Sequence, residues 1–205
     1  VKELIILEDG QFRDTLYDLS PGYYRISLDK ESSTLFLKPG TEISVNLDYN
    51  LFDETLKFEG TGSAENNYLS ATYLNNEKLG DTLTYKYFGS LDEENFIKKV
   101  SDLKENQLTF LSNQEGLSEE FKKLEESNIL YTWANRMQNY EAQKKYVSGD
   151  TDFRVSDNFK SFNDQLSLNN NELANLTSYR DYLHNYYSAQ IVSDEDLAKD
   201  YSLNY

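Results

Sequence analysis

The 205-residue chain contains no cysteine. This absence excludes a disulfide scaffold, a thiolate zinc site, a catalytic cysteine and a CxxC redox motif within the chain. It leaves the cellular compartment open, because exported proteins can also lack cysteine. Histidine occurs once, at position 184, and neither a GxSxG nor an HExxH motif is present. The residues around His184 offer no nucleophile and no second ligand, so the sequence predicts a surface or packing role for it.

Basic residues are also few. Lys and Arg total 20 against 36 Asp and Glu, which gives a formal net charge of −16. This charge repels phosphate backbones and argues against a nucleic-acid partner. No apolar run approaches the ~20 residues that span a bilayer, so we expect no membrane insertion of this segment. The chain begins in mid-pattern with Val1–Ile6, and we expect that an export signal has been removed upstream.

Proline occurs only twice, and glycine follows it each time, at Pro21-Gly22 and Pro39-Gly40. Proline presets φ for the first central turn position and glycine supplies positive φ at the second, so both pairs predict type II turns. Asp9-Gly10 predicts a two-residue hairpin turn. Between these signals the pattern predicts short strands over Glu3–Leu7, Phe12–Leu19, Tyr23–Leu28, Thr34–Lys38, Glu42–Asp48 and Leu56–Phe58.

After Ser63 the hydrophobic period becomes helical. We predict a first helix over Glu65–Leu79, and a last short helix over Asp194–Tyr201. The segment Asp81–Ser90 reads as a strand or an ordered loop. Three apolar stripes at helical spacing follow this segment and precede the last helix. The first comprises Phe96, Val100, Leu103 and Phe110 and ends near Gly116. The second begins after a cap at Ser118 and comprises Phe121, Leu124, Leu130, Trp133, Met137 and Tyr140, and the third comprises Leu173, Leu176, Tyr179, Leu183 and Tyr186.

The order of elements predicts an α+β protein. We expect an antiparallel β-meander or small sandwich over residues 1–60, and an α-helical region over residues 61–205 packed on it. Fewer than 60 residues of sheet bury too little surface to be safely stable alone.

The turn Gly60-Thr61-Gly62-Ser63 lies between a predicted strand and a predicted helix, where phosphate groups are often held. No lysine follows its glycines, as a phosphate loop requires, and Glu65 stands where a dinucleotide fingerprint has its third glycine. A glutamate in the first helical turn also repels phosphate. The sequence therefore predicts a structural turn, with Ser63 as the N-cap and Glu65 as a favourable first-turn charge.

Other candidate sites have a simpler structural explanation. Asp194-Glu195-Asp196 with Asp200 suggests calcium, but lacks the EF-hand glycine and terminal glutamate, and an acidic helix start is favoured. Tyr23-Tyr24, Tyr186-Tyr187 and Trp133 suggest a sugar-stacking platform, but core packing is favoured. A glycosidase-type carboxylate pair is not identifiable among Glu54, Glu59, Glu65, Asp92, Glu93 and Glu94. We therefore assign no catalytic, cofactor-binding or metal-binding residue.

A longer pattern resembles a known family. It comprises Gly10 and Phe12, Gly22-Tyr23-Tyr24, Leu35–Gly40, Ile43–Leu47, Phe52–Thr55, and Gly60, Gly62, Asn66 and Asn67. The run from Gly10 to Leu69 is similar to the N-terminal accessory region of thioredoxin-like (TlpA-like) envelope proteins and lipoproteins of Bacteroidetes. The helical continuation, including LTSYRDYLHNYY at Leu176–Tyr187, also resembles that region.

The resemblance implies an exported protein, periplasmic or anchored as an outer-membrane lipoprotein. The redox chemistry of this family resides in a C-terminal thioredoxin domain with CxxC, which is absent from this chain, so no catalytic residue carries over. The resemblance implies that this domain, and a protein client, are the partners. Such bacteria O-glycosylate Asp-Thr/Ser-aliphatic sites, and Asp14-Thr15-Leu16 and Asp81-Thr82-Leu83 fit that pattern.

Three functions follow from the sequence. The leading hypothesis is a non-catalytic N-terminal domain that positions the redox domain or binds its client. The alternative is a stand-alone envelope module that binds a glycan or peptide through tyrosine-rich surfaces. The third is a hydrolase with paired carboxylates facing each other across a cleft.

Overall fold

The computed structural model describes residues 2–193. Four strands come first: β1 Gly22–Leu28, β2 Glu31–Leu37, β3 Glu42–Asn46 and β4 Lys57–Thr61. Six α-helices are α1 Phe52–Thr55, α2 Ser63–Leu79, α3 Tyr85–Ser90, α4 Glu93–Ser112, α5 Glu119–Ser148 and α6 Thr177–Ser193. Short 3-10 helices cover Tyr49–Leu51, Gly80–Leu83, Phe159–Gln165 and Asn171–Leu173. The predicted α+β class, with antiparallel strands before helices, is confirmed.

The strands form two antiparallel pairs, β1 with β2 and β3 with β4. The predicted alternation of β1 is confirmed. Tyr24, Ile26 and Leu28 face an apolar cluster that the two sheets share, together with Ile43 and Val45 of β3. On the opposite face, Tyr23 packs with Phe36 of β2 against the helices. The first sheet thus packs against the second sheet with one face and against the helices with the other.

The two strands predicted nearest the N-terminus are wrong. Residues 2–21 contain no strand, and the turn at Asp9-Gly10 forms as a three-residue loop over residues 8–10, not as the predicted two-residue turn. Its backbone bonds run from Leu7 N–H to Gln11 O (2.8 Å) and from Gly10 N–H to Leu7 O (2.9 Å). A two-stranded hairpin is marginal unless one face is covered, and the flanking residues Leu4–Leu7 are exposed. The turn signal is therefore local, whereas the ladder would need a partner surface.

One of the two predicted proline–glycine turns is confirmed. At Pro39-Gly40, Gly40 has φ +84°, and Thr41 N–H donates to Lys38 O at 3.0 Å. Gly22 lacks a positive φ, because it pairs with Leu37 as the first residue of β1. The type II turn predicted at Pro21-Gly22 is therefore wrong.

The helical predictions are largely confirmed. Every residue of the three predicted stripes lies in an apolar cluster or packs against one. α5 is the central helix and contacts α3, α4 and α6. In the core beside it, the rings of Phe96 and Tyr140 stack at 4.0 Å between centroids. α4 ends at Ser112, before the predicted Gly116, and α6 begins after Leu173 and Leu176.

The segment Asp81–Ser90 is helical, so both structures predicted for it, a strand and an ordered loop, are wrong. Thr84 caps α3 by accepting a hydrogen bond from Tyr87 N–H at 3.3 Å. Phe88 and Gly89 are buried where α3 packs on α5, and this packing overrides the β-branched and aromatic composition. The short helix predicted at Asp194–Tyr201 lies outside the described residues.

Candidate functional site: the strand–helix joint and the buried carboxylate

The turn at residues 60–63 passes from β4 into α2 through two left-handed glycines, Gly60 at φ +96° and Gly62 at φ +93°. Gly62 is the N-cap of α2 and Ser63 is its first helical residue. The predicted capping role of Ser63 is therefore wrong. A left-handed cap favours glycine, so the second glycine is explained by conformation.

A groove of about 420 Å³ lies beside this turn. It is lined by residues 38–41, 60–65 and 116. Glu65 lines it with only 5% of its surface exposed, and its Oε1 accepts a hydrogen bond from Ser118 N–H at 3.1 Å. Glu65 is thus more than a first-turn charge, because it also connects the start of α2 to the start of α5. Its carboxylate stands beside the helix N-terminus that a phosphate would need.

The side chains of Asn66 and Asn67 connect the two sheets to α2 through hydrogen bonds. The Asn66 side chain accepts from Phe36 N–H (2.9 Å) and donates to Phe36 O (3.0 Å) and to Gly62 O (2.7 Å). Asn67 does the same to Phe58, accepting from its N–H at 2.9 Å and donating to its O at 2.8 Å. Each side-chain amide therefore pairs with an outer strand edge as a neighbouring strand would.

A second polar cluster surrounds Glu125, in the second turn of α5. Its carboxylate accepts from the hydroxyl of Tyr23 in β1, from Tyr68 Oη in α2 at 3.4 Å, and from Asn128 Nδ2 at 3.2 Å. Asn128 Oδ1 in turn accepts from Ser178 Oγ of α6 at 2.9 Å. Four elements thus meet around one carboxylate that is 4% exposed.

Burial controls the acid–base properties of this cluster. It raises the pKa of Glu125, and the hydrogen bonds from Tyr23, Asn128 and Tyr68 oppose the rise. Burial and the negative charge of Glu125 also raise the pKa of both tyrosines, which therefore remain protonated donors at neutral pH. Sequence reasoning missed this cluster. The available signal was the i, i+4, i+8 spacing of Phe121, Glu125 and Ile129, which places the glutamate on a buried face.

The acidic residues considered for catalysis have structural roles or are exposed. Asp92 caps α4 by accepting from Asn95 N–H at 2.8 Å, and this bond lowers its pKa. Glu93 accepts from Ser156 N–H at 2.9 Å. Glu54 and Glu59 are exposed. Among residues 2–193, no group of three or more acidic, histidine or cysteine side chains is arranged to hold a metal ion.

The sugar-stacking platform considered from the sequence does not assemble. Trp133 is buried in the helical core, and Tyr23 packs edge-on against Phe36 and Phe121, so the favoured core-packing role holds for both. Tyr186 and Tyr187 contact each other on α6, where His184 is exposed. A different pair is exposed: Tyr85 and Tyr146, with ring centroids 5.7 Å apart.

The N-terminal arm, residues 2–19, presents an unpartnered apolar surface. Its exposed side chains include Ile5 (80%), Leu7 (58%) and Tyr17 (81%). No hydrogen bond within residues 2–193 involves the backbone of residues 3–6. One ion pair, Lys2 Nζ to Asp14 Oδ1 at 2.6 Å, joins its two halves.

The remaining candidates differ in accessibility. Thr15 of the Asp14-Thr15-Leu16 tripeptide is exposed. The hydroxyl of Thr82, in Asp81-Thr82-Leu83, donates to Leu79 O at 2.7 Å. The acidic run Asp194-Glu195-Asp196 with Asp200 lies outside the described part of the chain. No helix within residues 2–193 combines the length and apolarity needed to cross a bilayer.

Comparison with known proteins gives no relative from which a function can be transferred. The chain matches no protein-family model, no curated protein and no solved structure.

Proposed function

We propose that this chain is a non-catalytic N-terminal domain of an exported thioredoxin-like protein, periplasmic or held at the outer membrane as a lipoprotein. Its role is to position the C-terminal redox domain or to bind that domain's client. The observation that carries the proposal is the N-terminal arm. Its consecutive apolar side chains and free backbone groups are the features that an added strand or a neighbouring domain satisfies.

The buried polar groups are consistent with such a role. Four buried or partly buried side chains each make a hydrogen bond from their own helix to another helix or strand: Glu65, Asn66, Asn67 and Glu125. Satisfied buried polar networks rigidify a fold, and a rigid body is suited to hold another domain in place. In the arm, Leu4, Ile5 and Ile6 are exposed, and their backbone groups have no hydrogen-bond partner within residues 2–193.

The first test is the coding sequence beyond Tyr205. It is expected to continue into a thioredoxin-like domain with a CxxC motif. A stop codon directly after Tyr205, or a following domain of another kind, would contradict the proposal.

The second test is amide hydrogen exchange in the full-length protein and in the 205-residue chain. If the arm contacts the redox domain, exchange at residues 3–7 should be about tenfold slower or more in the full-length protein, because new hydrogen bonds protect those amides. The exposed turn at residues 149–152 serves as a control and should exchange equally in both. Equal exchange at residues 3–7 would remove the support for a positioning role.

A stand-alone module that binds a glycan or peptide is the second candidate. It is favoured by the Tyr85–Tyr146 pair, two residues that are 46% and 73% exposed and lie where α3 begins and α5 ends. Exposed aromatic faces stack on sugars and peptides at low entropic cost.

Calorimetric titration with maltohexaose tests this second candidate. If the pair binds sugar, the Tyr85→Ala/Tyr146→Ala double variant should bind about tenfold more weakly, because it removes both stacking faces. Tyr187→Ala, which removes a tyrosine of similar exposure (47%) on α6, should bind like wild type. Absence of binding by the wild-type chain would contradict a maltohexaose site.

A further inference from the structure

Glu125 and Glu65 are the two buried carboxylates within residues 2–193, and their surroundings differ. Glu65 lies in the first turn of α2, where the helix dipole stabilises its charge. Glu125 is the seventh residue of α5, beyond the first turn in which the helix dipole stabilises a negative charge. It takes part in none of the ion pairs found in the described part of the chain.

The groups that face the Glu125 carboxylate are all neutral. Tyr23 approaches from β1, Tyr68 from α2 and Asn128 from its own helix. The two tyrosines are the titratable groups among them, and each keeps its proton at neutral pH because burial and Glu125 raise its pKa. α6 contributes only Ser178, through Asn128.

A carboxylate in this position is stabilised by hydrogen bonds but not by a cation. Burial penalises the charged form more than the neutral form. On protonation the carboxyl group takes a proton from solvent, and a tyrosine hydroxyl that rotates can accept a hydrogen bond from it. The protonated form therefore loses the desolvation penalty and can still be hydrogen-bonded to a tyrosine.

We propose that Glu125 is a pH-sensitive joint that holds the β1–β2 hairpin to the helical region more firmly when its carboxyl group is protonated. Tyr23 is the hairpin's direct contact with this carboxylate, and Tyr23 and Phe36 lie together against Phe121 of α5. Separation of this surface would return the carboxylate to water, so the charged form favours separation of the hairpin from the helices.

The direction follows from linkage. The pKa of Glu125 is raised in the folded state above the 4.5 of an exposed glutamate. The folded state therefore binds more protons between these two pKa values, and stability from this group decreases as pH rises through that window. Its full contribution is present below the unfolded-state value.

The experiment compares unfolding of wild type, Glu125→Gln and Glu126→Gln between about pH 5 and pH 8. Glu126 is the exposed neighbour of Glu125 on the same helix, so Glu126→Gln removes the same charge as Glu125→Gln but from a solvent-exposed position. The unfolding constant of wild type should rise across this range by more than about threefold relative to Glu125→Gln. Glu126→Gln should behave like wild type. If Glu125→Gln keeps the wild-type pH dependence, the proposal is overturned.

Tyr23→Phe provides a second, opposite prediction. It removes a hydrogen bond that favours the charged carboxylate, so the pH dependence should become larger and extend to higher pH. Hydrogen exchange of the β1–β2 amides, corrected for the intrinsic rate, should quicken with pH in wild type and remain level in Glu125→Gln. Equal corrected exchange of the hairpin at both ends of the pH range would overturn the proposed joint even if global stability changed.

Discussion

Replacement of Asn66 by alanine is expected to lower the free energy of unfolding by about 3–5 kcal/mol. The substitution removes three hydrogen bonds, from Phe36 N–H and to the carbonyl oxygens of Phe36 and Gly62. Asn66 is fully buried, and Phe36 and Tyr68 beside it are each 2% exposed. Water therefore has little access to the N–H and C=O of Phe36 that are left behind, and each unpaired buried group costs about 1–3 kcal/mol.

Asn66→Asp separates shape from hydrogen bonding. Aspartate has nearly the same shape and can still accept from Phe36 N–H. Its second oxygen, however, would face the two carbonyl oxygens to which Asn66 Nδ2 donates. We expect a loss as large as that of Asn66→Ala, because a buried charge against two acceptors is strongly unfavourable.

Urea unfolding followed by circular dichroism measures both variants, and Asn67→Ala is the matched control. Asn67 is the next residue, makes two hydrogen bonds to Phe58 and is only partly buried, so its loss should be about 1–2 kcal/mol. An Asn66→Ala variant no less stable than Asn67→Ala would contradict the assigned role of Asn66.

The asparagine pair explains why two small sheets are stable on this helix. Asn66 holds the β1–β2 sheet and Asn67 holds the β3–β4 sheet, through consecutive residues of α2. Asparagine is unfavourable inside helices because its side chain competes for backbone groups. Here the same property is used between elements, since each amide pairs with the backbone of a strand.

Periodicity made much of the fold predictable from sequence. Ile43 and Val45 alternate with polar residues, and this local pattern places both in the core shared by the sheets. Phe96, Val100 and Leu103 recur at helical spacing, which identifies the buried face of α4. These features depend only on residues close in sequence, so they can be predicted without knowledge of the tertiary structure.

Contacts between distant residues were not predictable in the same way. Asn66 lies 30 positions from Phe36, and Glu125 lies 102 positions from Tyr23. The prediction of strands in the N-terminal arm is wrong for a related reason. A strand pair needs a packing surface that covers one of its faces, and the local pattern does not specify that surface. Residue type predicts Ser63 as the cap, whereas the left-handed backbone at Gly62 determines where α2 begins.

Gly60→Ala is expected to cost about 3 kcal/mol of stability, through two effects that act together. An added Cβ would lie 2.3 Å from the backbone oxygen of Glu42 in β3, a distance that real Cβ atoms do not adopt. Gly60 also has φ +96°, where a side chain is strained by about 1–2 kcal/mol. Because Gly60 pairs with Ile43, relief of the clash requires the β3–β4 ladder to open at this pair.

Two other glycines separate the two effects. Gly149 has φ +72° and no atom within 4 Å of an added Cβ, so Gly149→Ala carries only the strain and should cost about 1 kcal/mol. Gly89 has no positive φ, but its Cβ would lie 2.5 Å from Gln143 O, so Gly89→Ala carries only the clash and should cost about 2 kcal/mol. Chemical unfolding of the three variants tests the account, since Gly60→Ala should exceed both. A Gly60→Ala loss equal to that of Gly149→Ala would mean that the β3–β4 pair yields without cost, and close packing at the joint would then not explain this glycine.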